Sequence, residues 1–332
     1  MEITISNINI TQIPADLLVL KHADRFYGAD KKVAQIVGFD DFVPVGKSRF
    51  VSGTGVEASE ILFIGVGPLA EFRYERIQEF GTQAIKLARK HPSLVRHLAL
   101  TIHGPGYGLD AEQSFLSMIA GIVSEWRRVD SSLRKVTVAE LSDKRCEQLN
   151  RLLQQRLGEF GLTKGQQRDT VIVPDLGNDS TRSSPAASNI IQFGARAEVK
   201  PRLFVAMPFA DEFIDEFEIG FREAAKSSDY ICERLDLESF TGDIVAEIKK
   251  RILGSHGIIA LLNTHNPNVF LEIGFAWAHS KPTILVAKED VRLPFDIGGH
   301  RCIRYRSINQ LRQMLTAEIA SLKAQGVLAI SA

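Results

Sequence analysis

Residues 257–287, GIIALLNTHNPNVFLEIGFAWAHSKPTILVA, read as strand, sharp turn, helix and next strand, with polar residues gathered at the turn. Gly257 to Leu262 is an unbroken apolar run of a length that suits a buried parallel strand and is too short for a membrane span. The polar cluster Asn263-Thr264-His265-Asn266 follows. Pro267 then suits a first helical position, because its missing N–H costs nothing there, and Asn266 is the expected N-cap. Asn268 and Glu272 lie four apart on one face of that helix, while Val269, Phe270, Ile273, Ala276 and Trp277 supply apolar surface. In an open parallel α/β sheet ligands collect beyond the carboxyl ends of the strands, which is where this turn sets Asn263, Asn268 and Glu272. The Glu272 carboxylate is thus aimed at a crevice, although the helix macrodipole alone also favours a Glu near a helix start.

The string Asn-Pro-Asn-Val-Phe-x-Glu-x-Gly-x-Ala-x-Ala-x-x-Lys-Pro-x-Ile-Leu-Val from Asn266 resembles the nucleoside 2-deoxyribosyltransferase and TIR-like superfamily. The resemblance runs from about Lys200 to Arg306, with Phe204-Val205-Ala206-Met207-Pro208-Phe209 at its start and Pro294-Phe295-Asp296 near its end. It implies a strand ending in a polar turn and a helix whose Glu is catalytic. Met207, Pro208 and Phe209 should line the crevice, where Phe209 could stack on a base, or else form a core turn.

Outward from that stretch, the chain has 332 residues, long for one core, so two domains are expected. Lys+Arg and Asp+Glu are both 40, which leaves no net electrostatic footprint for nucleic acid. The opening Met1-Glu2-Ile3 carries neither a basic segment nor a long apolar stretch, so a cytoplasmic protein without a membrane partner is expected. Cys146, Cys232 and Cys302 are widely spaced without CxxC, as suits reduced thiols, and no metal is expected.

The first domain, 1–164, alternates strands and helices. Strands are expected at Glu2 to Ile10, as one strand or a pair, at Asp16 to Lys21, Ile61 to Val66 and His97 to Ile102, and as a further edge strand at Lys135 to Leu141. Helical spacing covers Tyr74 to Ala88, Ala111 to Trp126 and the region near Asp143 to Leu157. Three loops stand out: His22 to Asp30, with Gly28 and Asp30; Gly65-Val66-Gly67-Pro68; and His103-Gly104-Pro105-Gly106-Tyr107-Gly108-Leu109-Asp110. Glycines admit close approach of backbone amides to an anion, so the last loop reads as a phosphate cradle or as a tight turn. Through Ala15 to Val19, Tyr27 to Asp30, Leu62 to Val66 and His97 to Asp110, residues 15–126 resemble the macrodomain-like N-terminal module of leucyl aminopeptidases. That resemblance implies a nucleotide-accepting shape between Gly28, Asp30, Gly65, Gly67, His103, Gly104, Gly106, Tyr107 and Gly108, used either as a sensor or as a docking module. Peptidase activity is not implied, because the metal-binding catalytic domain has no counterpart and no HExxH occurs.

Residues 165–198, with the turn-rich stretch Asp175 to Pro185, read as a linker, in which Val171-Ile172-Val173-Pro174 could pair as an edge strand with either domain. The second domain, 199–332, shows strands from Leu203, Tyr230, Gly257, Thr283 and Cys302 with helices between them, which fits a flavodoxin-like doubly wound parallel sheet. No GxGxxG follows its first strand and no GxxxxGK[ST] occurs, so hydride transfer and P-loop chemistry are poorly supported.

In both branches of the resembled superfamily, the bond at issue joins ribose C1′ to a base nitrogen. A carboxylate beside C1′ stabilises the cationic transition state or attacks it. Nicotinamide leaves NAD+ as a neutral molecule, so Glu272 alone could suffice. A purine or pyrimidine benefits from an acid, for which Asp236 or Asp243 is available, and either could instead be a cap or a ribose ligand. The layout resembles prokaryotic anti-phage defence proteins. The expectation is a ligand-gated NAD+ glycohydrolase without a cofactor, with NAD+ as substrate, a nucleotide-type activating ligand on the first domain and assembly as a homo-oligomer. The alternatives are a nucleoside or nucleotide deoxyribosyltransferase or N-glycosidase, and a nucleotide-binding scaffold without turnover.

Overall fold

The computed structural model describes residues 1–68, 71–128, 132–167, 169–174, 190, 192–208, 210–235 and 244–328. The chain divides into two compact units, Met1–Glu198 and Val199–Ala332.

Among the described residues the first unit holds β1 (Glu2–Asn7), β2 (Leu17–His22), β3 (Ser48–Ser52), β4 (Glu60–Gly65), β5 (His97–Thr101), β6 (Lys135–Glu140), β7 (Thr163–Lys164) and β8 (Thr170–Ile172). They form one sheet in the order β3-β4-β2-β5-β6-β1-β8-β7. The run from β4 to β1 is parallel, and β3, β8 and β7 add antiparallel margins. Continuous apolar strands belong where both faces are covered, and every residue of β2 is buried. The helices are α1 (Gly28–Val37), α2 (Tyr74–Lys90), α3 (Ala111–Arg128), α4 (Asp143–Gln155), α5 (Leu157–Phe160) and α6 (Phe193–Glu198).

Three expectations change here. The strand expected at an edge, Lys135 to Leu141, is β6 and lies between β5 and β1. Its alternating Lys-Val-Thr-Val pattern reads as half-exposed, but Thr137 is buried with its hydroxyl 2.8 Å from His97 Nε2, so the polar position is satisfied inside. The first nine residues give one strand, β1, and Ile10 opens a short 3-10 turn, Ile10–Gln12. The expected linker contributes structure at both ends. β8 pairs with β1, and α6 packs on α2, where Gln78 bonds the carbonyl of Ile190 and the N–H of Gly194. Buried Ile190 and Ala197 anchor that return. The stretch Asp175 to Pro185 lies outside the described residues.

Helices α2 and α3 touch through glycine. A Cβ on Gly121 would stand 2.0 Å from the Gln78 carbonyl oxygen, and one on Gly81 would stand 2.4 Å from that of Met118. Gly121→Ala must push the helices apart and is expected to cost about 1–3 kcal/mol by urea unfolding. An unchanged midpoint would show that the helices separate freely.

The second unit holds β9 (Arg202–Ala206), β10 (Ile231–Glu233), β11 (Gly257–Leu261), β12 (Thr283–Lys288) and β13 (Cys302–Tyr305). Their order is β10-β9-β11-β12-β13, and every neighbouring pair is parallel. Numbered from β9, this is the order 2-1-3-4-5 of a doubly wound sheet, whose direction of winding reverses between β9 and β11. One face packs with α7 (Arg222–Ser227), the π-helical turn Glu216–Phe221 before it, and the last helix. The other packs with α8 (Ile244–Gly254) and α9 (Pro267–Ala278). A short α10 (Phe295–Gly298) and α11 (Ile308–Ala324) complete the unit. The helix expected between the strands from Leu203 and Tyr230 is thus broken into a 3-10 turn, Asp211–Phe213, the π turn and α7.

Candidate active site

Helix α9 begins as its sequence requires. The Asn266 side chain accepts a hydrogen bond from the Asn268 N–H at 2.9 Å, and Pro267 occupies the first turn. Val269, Ile273 and Ala276 are buried against the sheet, and Phe270 and Trp277 pack on that cluster while partly buried. Glu272, between these positions, faces α8 and the end of β9. There Met207, Pro208, Ile244, Ile248, Ile252, Asn268 and Glu272 contribute to the lining of a cavity of about 230 Å³. The cavity sits at the carboxyl end of β9, beside the reversal of strand order, where ligands of doubly wound sheets gather.

Helix α8 turns its isoleucines inward because its other side is held by charge. Arg251 Nε donates to Glu247 Oε1 at 2.9 Å, and its guanidinium stands 3.7 Å from Glu233 on β10. With Ile244, Ile248 and Ile252 around it, Glu272 is only 7% exposed. Burial pushes its carboxyl up to about 8. Among the described residues it has no hydrogen bond or ion pair to favour the charged form. A buried, unpaired carboxyl is costly to keep and is characteristic of sites where charge appears only with a bound partner.

Of the residues marked for substrate, Met207, Pro208 and Asn268 join Glu272 on the cavity wall. Asn263 does not line it. Its amide donates to the Tyr305 hydroxyl at 2.6 Å and to Glu216 at 3.4 Å, and its oxygen accepts from the Lys288 N–H at 2.9 Å. Tyr305 in turn donates to Glu216 at 2.9 Å, so Asn263 braces the ends of β11, β12 and β13. Phe209, Asp236 and Asp243 lie outside the described residues.

In the first unit, two of the three marked loops, through Asp30 and Tyr107, meet at a residue the sequence reading passed over, Lys21. It is the penultimate residue of β2, and its ammonium is bound to Asp30 of α1 in a buried ion pair and stands 5.0 Å from the Tyr107 ring centroid. Burial alone would lower the Lys21 ammonium; Asp30, aided by Tyr107, outweighs it and holds it above the ordinary lysine value. The signal was present, since a lysine ending the apolar run Leu-Leu-Val-Leu needs a buried partner. Asp30 Oδ1 and His103 Nε2 are buried without a hydrogen-bond partner among the described residues. His103 stands edge-on to Phe80 at 4.4 Å, and burial holds its imidazole well below the ordinary value, hence neutral. Gly28 opens α1, Gly106 lies in the turn Pro105–Tyr107, and Gly104 and Gly108 flank that turn with positive φ. Gly65 is elsewhere. It lines a cavity of about 100 Å³ with Gly46, Lys47 and Arg76, and Gly67 packs against Val45.

No helix among the described residues is long and apolar enough to cross a membrane, and none of their His, Cys, Asp and Glu side chains group in threes as metal ligands. No family model and no curated protein matches the chain. Solved structures are similar in fold over about half of it, in the N-terminal region. A Trypanosoma brucei macrodomain is 16% identical, covering 46% of this chain and 66% of that one at a TM-score of 0.39. The same organism's macrodomain in complex with ADP-ribose is 17% identical, over 44% and 67%, at 0.38. An Oceanobacillus iheyensis macrodomain with ADP is 13% identical, over 47% and 91%, at 0.38. The chain thus spans slightly less than two thirds of the first of these.

Proposed function

We propose that the second unit is an N-glycosidase of the TIR-like and deoxyribosyltransferase kind, with Glu272 as its catalytic carboxylate and NAD+ as its substrate. The observation that carries this reading is the desolvated, unpaired Glu272 in an apolar cavity at the reversal of strand order. Burial penalises the anion, so without a cationic partner the carboxyl holds its proton near neutrality. A pyridinium ring and the glycosyl cation that follows it favour the anion by direct attraction. The carboxylate is therefore stabilised most where positive charge peaks, in the transition state. The C1′–N bond breaks with its electron pair going to the nicotinamide nitrogen. Water adds to C1′ and loses its proton, giving ADP-ribose, nicotinamide and H+.

Glu272 is the sole carboxylate among the described residues that line the cavity, which suits a base that leaves without protonation. A nucleoside deoxyribosyltransferase would call on an acid, in the roles the sequence offers to Asp236 and Asp243. A cavity of about 230 Å³ suits one end of a dinucleotide, below the roughly 300–1,000 Å³ that encloses drug-sized ligands.

The first unit is read as the sensor of a nucleotide-type ligand governing this activity in an anti-phage setting, within a cytoplasmic homo-oligomer. The unpaired, buried Asp30 Oδ1 and His103 Nε2 support a ligand at the Lys21 cluster. The test is incubation of the full chain with NAD+, nucleosides and nucleotides, with and without candidate activators, following free base by chromatography. Nicotinamide release that depends on Glu272 supports the reading. Purine or pyrimidine release with NAD+ intact moves the chain to the nucleoside branch. Silence throughout, with nucleotide binding retained, leaves the scaffold.

A further inference from the structure

We propose that Lys249 recognises a phosphate on the substrate of the Glu272 cavity, so that the site selects nucleotides and dinucleotides over bare nucleosides. This takes the Glu272 reading for the location of the chemistry and adds the class of substrate.

Lys249 and Glu272 are the only charged side chains among the described residues that line the cavity. They do not pair with each other, and no acidic group among the described residues pairs with Lys249. Its ammonium is instead held 5.5 Å from the ring centroid of Phe275, which lines the same cavity one turn beyond Glu272. A cation–π contact positions an ammonium without cancelling its charge. The neighbouring cation Arg251 differs, since Glu247 and Glu233 already answer it.

Lys249 is exposed to solvent, and its place on α8 sets it at the rim of the cavity. Val245, Ile248, Lys249 and Ile252 all line the cavity and recur at helical spacing, so Lys249 belongs to the cavity-facing stripe of α8. An apolar wall between two unlike, unpaired charges is complementary to a ligand carrying both signs. A nucleotide with a cationic base or glycosyl centre has them on either side of one ribose, the cation at C1′ and the phosphate at C5′. A nucleoside satisfies Glu272 and leaves Lys249 unanswered.

The experiment compares nicotinamide riboside, nicotinamide mononucleotide and NAD+ on the full chain. Equilibrium binding is measured by calorimetry in Glu272→Gln protein with Lys249, Lys249→Gln or Lys249→Arg. Turnover is measured in the same Lys249 series with Glu272 intact. The preference for mononucleotide over riboside, in binding and in kcat/KM, is expected to fall about 10-fold in Lys249→Gln. Loss should fall mainly on KM, shrink with added salt and be largely restored by Lys249→Arg. An unchanged preference, or no phosphate-dependent binding at all, overturns the proposal. If Lys249-dependent phosphate binding stands while no base is released, the phosphate site survives and the glycosidase reading falls. If release requires Glu272 but the preference ignores Lys249, the reverse holds.

Discussion

Glu272→Gln is expected to lower base release by about 10³-fold or more while making the second unit more stable than wild type at pH 8. Both effects have one cause. The amide is close in shape and has no charge to offer a developing glycosyl cation, so activity goes. It also has no charge to desolvate. In wild type the folded state keeps the Glu272 proton up to about pH 8, whereas the unfolded chain releases it near the ordinary glutamate value. Between those limits the unfolded state binds fewer protons, so this group's contribution to stability is full below the unfolded value and is lost as pH rises through the folded one. The loss is about 1.4 kcal/mol per pH unit. The Gln variant lacks that slope. Chemical unfolding from pH 4 to 9 should show the two proteins converging at the acid end and separating steadily above it. For the free enzyme, kcat/KM should climb about tenfold per pH unit up to pH 8 and then level. A flat profile with retained activity in the variant would remove Glu272 from the chemistry.

Asp30→Ala is expected to destabilise the first unit by about 3–5 kcal/mol, because it strands the Lys21 charge inside the sheet. Lys21 and Asp30 are each 3% exposed, so neither can reach water when its partner is lost. Replacing the two together by Met and Leu keeps the volume apolar and should recover most of the loss. Denaturant unfolding of the three variants separates a buried ion pair from simple packing. An Asp30→Ala midpoint close to wild type would show that Lys21 finds another partner or sheds its proton. If the cluster also holds the sensed ligand, the double variant folds and no longer responds to it.

Much of the second unit was legible because its signals are short in range. The apolar run Gly257 to Leu262, the Asn266 cap and Pro267 concern groups a few residues apart, and they placed Glu272 on its helix. Nothing local told Asn263 from Asn268. Both are polar residues beside one turn, yet Asn263 is taken by Tyr305 and Glu216, 42 and 47 residues away in the chain. The interior position of β6 was illegible for a like reason. Its alternation looks half-exposed until His97 is brought against Thr137.

By itself the amino-acid sequence determined most of the parallel strands and the longer helices, the parallel α/β class, the start of α9 and the candidacy of Glu272, since periodicity and capping act within a turn or two. Only the tertiary structure decided the charge state of that carboxyl, the turning of Asn263 away from the cavity, the arrival of Lys249 on its wall and the burial of Lys21 with Asp30. Those outcomes depend on what solvent is excluded and which distant side chains arrive, and desolvation and charge pairing are properties of the packed surroundings, not of the residue.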